Sequence, residues 1–227
     1  MDSQKLTDLQ PNWRILTDGM SRARGDDYVA ESTTSDNLSA ERTLAPPAKL
    51  AHFVLRTSRY DQMLDWYKHV LKAHVVYGNE YLSFLTYDEE HHRIAILKVD
   101  GLGEPVDGVA GVHHIAFTYN DLPTLLGNYE QLKAEGVEPV YVINHGPTTS
   151  LYYADPDGNQ LEFQVENYAT VEESTQFFFS DAFRENPVGV EFDPQELADR
   201  LRAGEPEESL KRRLDIGKRG MEGVNLR

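Results

Sequence analysis

The sequence predicts an α+β fold in which two βαβββ repeats share one core, flanked by N- and C-terminal extensions. Three observations predict it. A strand, a helix and three further strands occur in that order twice, starting about 62 residues apart. Period-two alternation in the first strand of each copy places histidines at equivalent positions, opposite large apolar residues. An Asp-Pro-Asp-Gly-Asn turn at 155–159 leads into the last strand, which carries Glu162 amid apolar residues.

Residues 1–47 are polar and hold no sustained hydrophobic period. The stretch SRARGDDYVAESTTSDNLSAER and the terminal Pro46-Pro47 mark them as an N-terminal extension. From residue 50 the texture changes. AHFVLRT reads as a strand, and YDQMLDWYKHVLKA as an amphipathic helix with Met63, Leu64, Tyr67, Val70 and Leu71 on one face. HVVYGN, EYLSFLTY and RIAILKV complete the first copy. In the second copy HHIAFTY is the strand, and LPTLLGNYEQLKAEG is a helix between Asp121 and Gly136 as start and stop signals. PVYVINH, TSLYYAD and QLEFQVE follow. Neither copy can bury its sheet face alone, so 48–168 reads as one domain.

Residues 169–227 read as a C-terminal helical arm. Asp193 is a candidate N-cap, with Pro194 in the first turn, Glu196 at capping-box spacing and Gly204 as the stop. EESLKRRLDIGKRG mixes signs as a solvated helix or arm does. A flap covering the same domain is favoured over a partner-binding tail.

Alternation sorts the faces. Phe53 and Leu55 oppose His52, Val54 and Arg56; His113, Ile115 and Phe117 oppose His114, Ala116 and Thr118. With the large apolar residues under the helices, His52 and His114 point to the concave side, where a pseudo-two-fold axis brings them together. In the last strand, Glu162 and Gln164 oppose Leu161, Phe163 and Val165. A carboxylate there costs free energy unless paired or metal-bound. Taken singly, each residue is ordinary; together they form the two-histidine, one-carboxylate set of non-haem Fe(II) sites. Aligning QLEFQVE with IAILKVD sets Ile96 opposite Glu162, which leaves three protein ligands and open positions.

Composition bounds the function. The chain has 227 residues, 40% of them hydrophobic, with 22 basic against 38 acidic residues and a net charge of −16. Such a field repels nucleic acid and anionic membranes. There is no cysteine, which excludes disulfides, thiolate metal sites and cysteine nucleophiles. MDSQKLTDLQPNW holds no apolar signal region, and no run approaches the ~20 apolar residues of a membrane span. A soluble cytoplasmic protein is the expectation.

With HF in its first strand, HHIAF in its fifth and DPDGNQLE closing it, the doubled unit resembles the vicinal oxygen chelate (glyoxalase/bleomycin resistance/dioxygenase) superfamily. Residues 143–162 are similar to the signature of the type I extradiol dioxygenases: Ile143-x-His145, five residues, Leu151-Tyr152, two residues, Asp155-Pro156-x-Gly158, three residues, Glu162. The resemblance covers 48–168. It implies a vicinal-oxygen-chelate bowl around Fe(II) held by His52, His114 and Glu162. The ligand of the doubled histidine is the one before Ile115, and His113 faces the helix layer or a neighbouring strand. His145 matches the family's acid–base histidine and Tyr152 its hydrogen-bonding tyrosine. Two departures stand out: many members carry two modules per chain, and a further active-site histidine has no clear counterpart here.

What the resemblance implies is an oxidoreductase of aromatic-compound catabolism, an extradiol-type dioxygenase that cleaves a catechol-like ring with O2. An imidazole titrating near neutrality can take and return the proton. A glyoxalase-like lyase or isomerase using Zn, Ni or Mn, a thiol transferase and a metal-free aromatic-binding module stay open as alternatives. The expected partners are a small aromatic diol and O2; a homodimer is left open. His69, His74, His91 and His92 are read as ordinary residues.

Overall fold

A computed structural model describes residues 44–103, 105–106, 108–220 and 222. The chain divides into two units, 1–47 and 48–227. The polar N-terminal extension therefore lies outside the described residues except for 44–47, which are exposed and carry no regular structure.

In the second unit the first repeat runs β1 (Phe53–Thr57), α1 (Tyr60–Val70), β2 (His74–Gly78), β3 (Leu82–Thr86) and β4 (Ile94–Lys98). The second runs β5 (His114–Thr118), α2 (Leu122–Ala134), β6 (Tyr141–Asn144), β7 (Thr148–Ala154) and β8 (Gln160–Glu166). The sheets have the same order, β1-β4-β3-β2 and β5-β8-β7-β6, and the second gains β9 (Val190–Glu191) at its edge. β1 runs parallel to β4 and β5 to β8, as a helical crossover requires; the other pairings are antiparallel.

The apolar faces meet in one core. Met63 and Tyr67 of α1 are fully buried, Val70 nearly so, and Leu64 and Leu71 pack beside them. Leu122, Leu125, Leu126, Tyr129 and Leu132 of α2 join Leu151, Leu161, Phe163 and Val165 from the second sheet. Phe53, Leu55 and Phe117 line the same side, while Val54, Arg56, Ala116 and Thr118 are exposed on the other. α2 starts where its cap predicts: Asp121 accepts from the Thr124 N–H at 2.7 Å, and Gly136, at φ +83°, ends it.

Three sequence expectations need correction. Val54 pairs with Ala95, and Ala116 with Glu162, so Ala95, not Ile96, stands at the position equivalent to Glu162. A one-residue shift of register swaps sheet faces, and Ile96, fully buried, points into the helix-side core. Alanine, like isoleucine, coordinates nothing. His113 does not enter the helix layer; it is exposed just ahead of β5. Residues 207–220 are helical only over α6 (Glu207–Leu210), whose Leu210 is buried in the core.

The C-terminal segment winds over the second repeat. α3 (Val171–Phe177) opens with a full capping box between Thr170 and Glu173, and α4 (Asp181–Glu185) is capped by Ser180. β9 then pairs with β6, and α5 (Pro194–Arg202) lays Leu197 and Ala198 into the core beside α2. Asp193 caps α5 as its sequence implies, accepting from Gln195 at 2.8 Å and Glu196 at 3.4 Å.

Candidate metal centre

The turn before β8 is what aims Glu162. Asp155 Oδ1 accepts from the backbone N–H of Asp157 at 3.0 Å and of Asn159 at 2.8 Å. Its Oδ2 accepts from Asn159 Nδ2 at 2.8 Å and from the hydroxyl of buried Tyr67 at 3.1 Å. Burial raises the Asp155 pKa despite these donors. Arg59, ahead of α1, clamps the same turn, donating to Pro156 O at 3.1 Å and Asp157 Oδ1 at 2.9 Å. Glu162 follows two residues into β8, on the face opposite the core, and is nevertheless 5% exposed.

Around that carboxylate the second sheet gathers three other predicted residues. His114 Nε2 lies 3.1 Å from Glu162 Oε2, and His145 Nε2 3.9 Å from Oε1. The Tyr152 hydroxyl sits 3.0 Å from His145 Nε2, beside the Glu162 charge. Tyr152 and Ala116 are the direct neighbours of Glu162 across the sheet, so β-register itself sets this row. Burial is the main cause of both pKa shifts here. It holds His114 below the ordinary imidazole value, against the pull of Glu162, and raises the Tyr152 phenol, which the Glu162 charge raises further. Both are neutral near pH 7. A carboxylate only accepts, so the neutral His114 ring donates from Nε2 to Glu162, and the phenol is a donor as well.

The doubled histidine acquires a role for each member. The Nδ1 atoms of His113 and His114 are 2.7 Å apart, so a proton between them orients the His114 ring and leaves its Nε2 toward Glu162. His145, past the end of β6, has its Nδ1 2.5 Å from the Val188 carbonyl of the C-terminal segment, a partner that no local sequence signal announces.

His52 stands apart from this group. Its ring centroid lies 4.3 Å from that of His92, which stacks in turn on Phe84 at 4.5 Å. Among the described residues, no three His, Asp or Glu side chains are gathered closely enough to hold a metal. A cleft of about 330 Å³ runs between β1 and β5, lined by Val54, Arg56, Val112, His114 and Gln160 among others. A second cavity, of about 550 Å³, lies between the β6–β7 loop and the C-terminal segment, bounded by Gly146, Phe177, Asn186 and Arg213.

His114 and Glu162 are donors of the kind a divalent cation takes, and a third ligand would have to join them from elsewhere. The carboxylate, removed from water, has two imidazoles, one of them held neutral, and a phenol beside it; a hard cation would balance its charge.

A doubled βαβββ unit with this site defines a class. Residues 49–163 match the model of the glyoxalase/bleomycin resistance protein/dioxygenase superfamily, and the chain belongs to that superfamily. It is 51% identical over 159 residues to biphenyl-2,3-diol 1,2-dioxygenase 2 of Rhodococcus globerulus, covering 70% of this chain and 84% of that one. It is 46% identical over 164 residues to biphenyl-2,3-diol 1,2-dioxygenase 3 of the same organism, covering 71% of this chain and 86% of that one.

Proposed function

We propose that this chain is an Fe(II)-dependent extradiol-type dioxygenase that cleaves the ring of a catechol-like aromatic diol with O2. The observation that carries the reading is the cluster of buried Glu162 and Tyr152 with half-buried His114 and His145, which holds the oxygen-chemistry signature in one place. The names of the two Rhodococcus relatives support it.

In this reading residues 48–168 are the catalytic module, and 169–227 an arm that completes it. His114, Glu162 and His52 are the iron ligands. His52 has to leave its stack on His92 to join the other two. Iron bound there would supply Lewis acidity and a one-electron redox centre for the reaction of the diol with O2. The protein supplies the proton handling. With a proton on Nδ1 toward the Val188 carbonyl, the His145 ring has Nε2 on the site side, where it can accept the proton of a diol hydroxyl and later return it. Tyr152, kept neutral by burial, donates a hydrogen bond to an oxygen in the site. Above the equivalent row of the first sheet, Val54, Ala95, Phe84 and Tyr77 present an apolar and aromatic face suited to the substrate ring.

No helix among the described residues is long and apolar enough to cross a membrane. A cytoplasmic enzyme of aromatic-compound catabolism is the role that goes with the activity. The test is oxygen uptake by anaerobically iron-loaded protein offered a panel of catechols, watched for a yellow ring-opened product. Uptake with yellow product is expected. Bound iron with no uptake for any diol overturns the reaction while leaving the family assignment intact.

A further inference from the structure

We propose that the C-terminal segment fixes the tautomer and orientation of the His145 ring, with Asn186 and Arg213 as its positioning residues. The inference rests on reading His145 as the acid–base group.

The Val188 carbonyl can only accept a hydrogen bond, so the 2.5 Å approach of His145 Nδ1 requires the proton on that nitrogen. In the neutral ring Nε2 then carries the lone pair and faces the Tyr152 hydroxyl at 3.0 Å. The opposite tautomer would set a lone pair against the carbonyl and aim an N–H at the site.

The carbonyl is itself held in place. Asn186, 3% exposed, accepts through Oδ1 from the N–H of Val188 at 3.1 Å and of Gly189 at 2.8 Å. Its Nδ2 donates to the Gly189 carbonyl at 2.9 Å. Gly189 adopts φ +124°, and a Cβ there would stand 2.4 Å from the Asn144 carbonyl oxygen and 2.9 Å from His145 Cα. The two backbones touch, so a shift of one displaces the other.

Arg213 ties them together. Its guanidinium donates to the carbonyls of His145 at 3.3 Å, Asn186 at 2.8 Å and Ala182 at 2.8 Å, and lies 4.9 Å from the Phe177 ring centre. A rigid planar fork that takes three carbonyls from two segments is a geometric clamp. The arm has independent anchors: β9 on β6, the Tyr141 hydroxyl donating to Glu191, α5 beside α2, and Leu210 in the core. Arg213 also borders the 550 Å³ cavity, so truncating it removes the clamp without opening the core.

The test uses the full chain with Arg213→Ala, Arg213→Lys and Asn186→Ala. In metal-free protein, labelled on histidine nitrogen and held in mildly alkaline buffer, two-bond proton–nitrogen correlations read the tautomer directly. Wild type is expected to show His145 with its proton on Nδ1, and both alanine variants a mixture. In iron-loaded enzyme, Arg213→Ala is expected to lower kcat about tenfold with KM nearly unchanged, and Arg213→Lys to recover part of it. A wild-type proton on Nε2, or alanine variants with the wild-type tautomer and kcat, overturns the proposal. Should one variant fail to fold, the wild-type spectrum and the remaining variants decide. If wild type opens no catechol, the dioxygenase reading falls, and the tautomer measurement still stands on its own.

Discussion

Replacing Glu162 by glutamine should have opposite consequences with and without metal. The side chain is 7% exposed, with His114 Nε2 at 3.1 Å as its hydrogen-bond donor. Taking a carboxylate out of water costs several kcal/mol even after relaxation. A hydrogen bond to a charged acceptor returns about 1.5–3 kcal/mol, which offsets much of that cost. Glutamine keeps the volume, and metal-free Glu162→Gln should lie within about 1 kcal/mol of wild type. Iron reverses the comparison. At a hundredfold excess over its Kd, a ligand of the native state adds about 2.7 kcal/mol. For a folding unit of about 180 residues that raises Tm by about 5–10 °C. Wild type should show this rise in anaerobic calorimetry with Fe(II), and the variant should lose it. An equal rise in both would refute Glu162 as a ligand. A metal-free loss beyond about 3 kcal/mol would make it a structural residue.

His145→Ala should retain the Fe(II)-induced rise in Tm and lose about 10²–10⁴-fold in kcat; unchanged turnover would make His145 an ordinary loop residue. Tyr67→Phe removes a buried donor to Asp155 and should lower the urea midpoint by the equivalent of about 1 kcal/mol, with no shift meaning that the phenol does not brace the turn. Hydrogen bonding from Arg219 holds the Glu191 carboxyl down at about 2. A depressed carboxylate stabilises the fold above its ordinary 4.5 and loses that contribution as pH falls toward 2. Because Glu191 is partly exposed, the contribution is below about 1 kcal/mol. The stability gap between wild type and Glu191→Gln should close over that range, and a gap that persists in acid would refute the assignment.

What the sequence makes legible is what short-range periodicity controls. The core face of α1, the caps Asp121 and Asp193, and the alternation that separates Glu162 from Leu161 and Phe163 all depend on neighbours within a few positions. Register between distant strands does not. The shared Val and acidic ends of QLEFQVE and IAILKVD suggested Ile96 as the partner of Glu162. The ladder pairs Val54 with Ala95 instead, because Ile96 is worth more in the apolar core than facing the cleft. The Val188 carbonyl at His145 was equally invisible. A backbone oxygen carries no residue signature, and its approach depends on β9 finding β6 across more than forty residues.

The same ladders show why one half of a duplicated fold can carry the chemistry. Across the second sheet one row reads Ala116, Glu162, Tyr152, Tyr141. Across the first, the equivalent row reads Val54, Ala95, Phe84, Tyr77. The repeat keeps the backbone and exchanges the side chains, carboxylate and phenol for methyl and benzyl. The apolar row gives the imidazole of His52 no carboxylate to approach, and it lies against His92, which stacks in turn on Phe84. His114, at the matching position, has Glu162 within 3.1 Å. Sequence symmetry places His52 and His114 at equivalent positions, and their meeting at one metal belongs to the proposal. What draws an imidazole to a site is the charge opposite it, and only one of the two rows holds that charge.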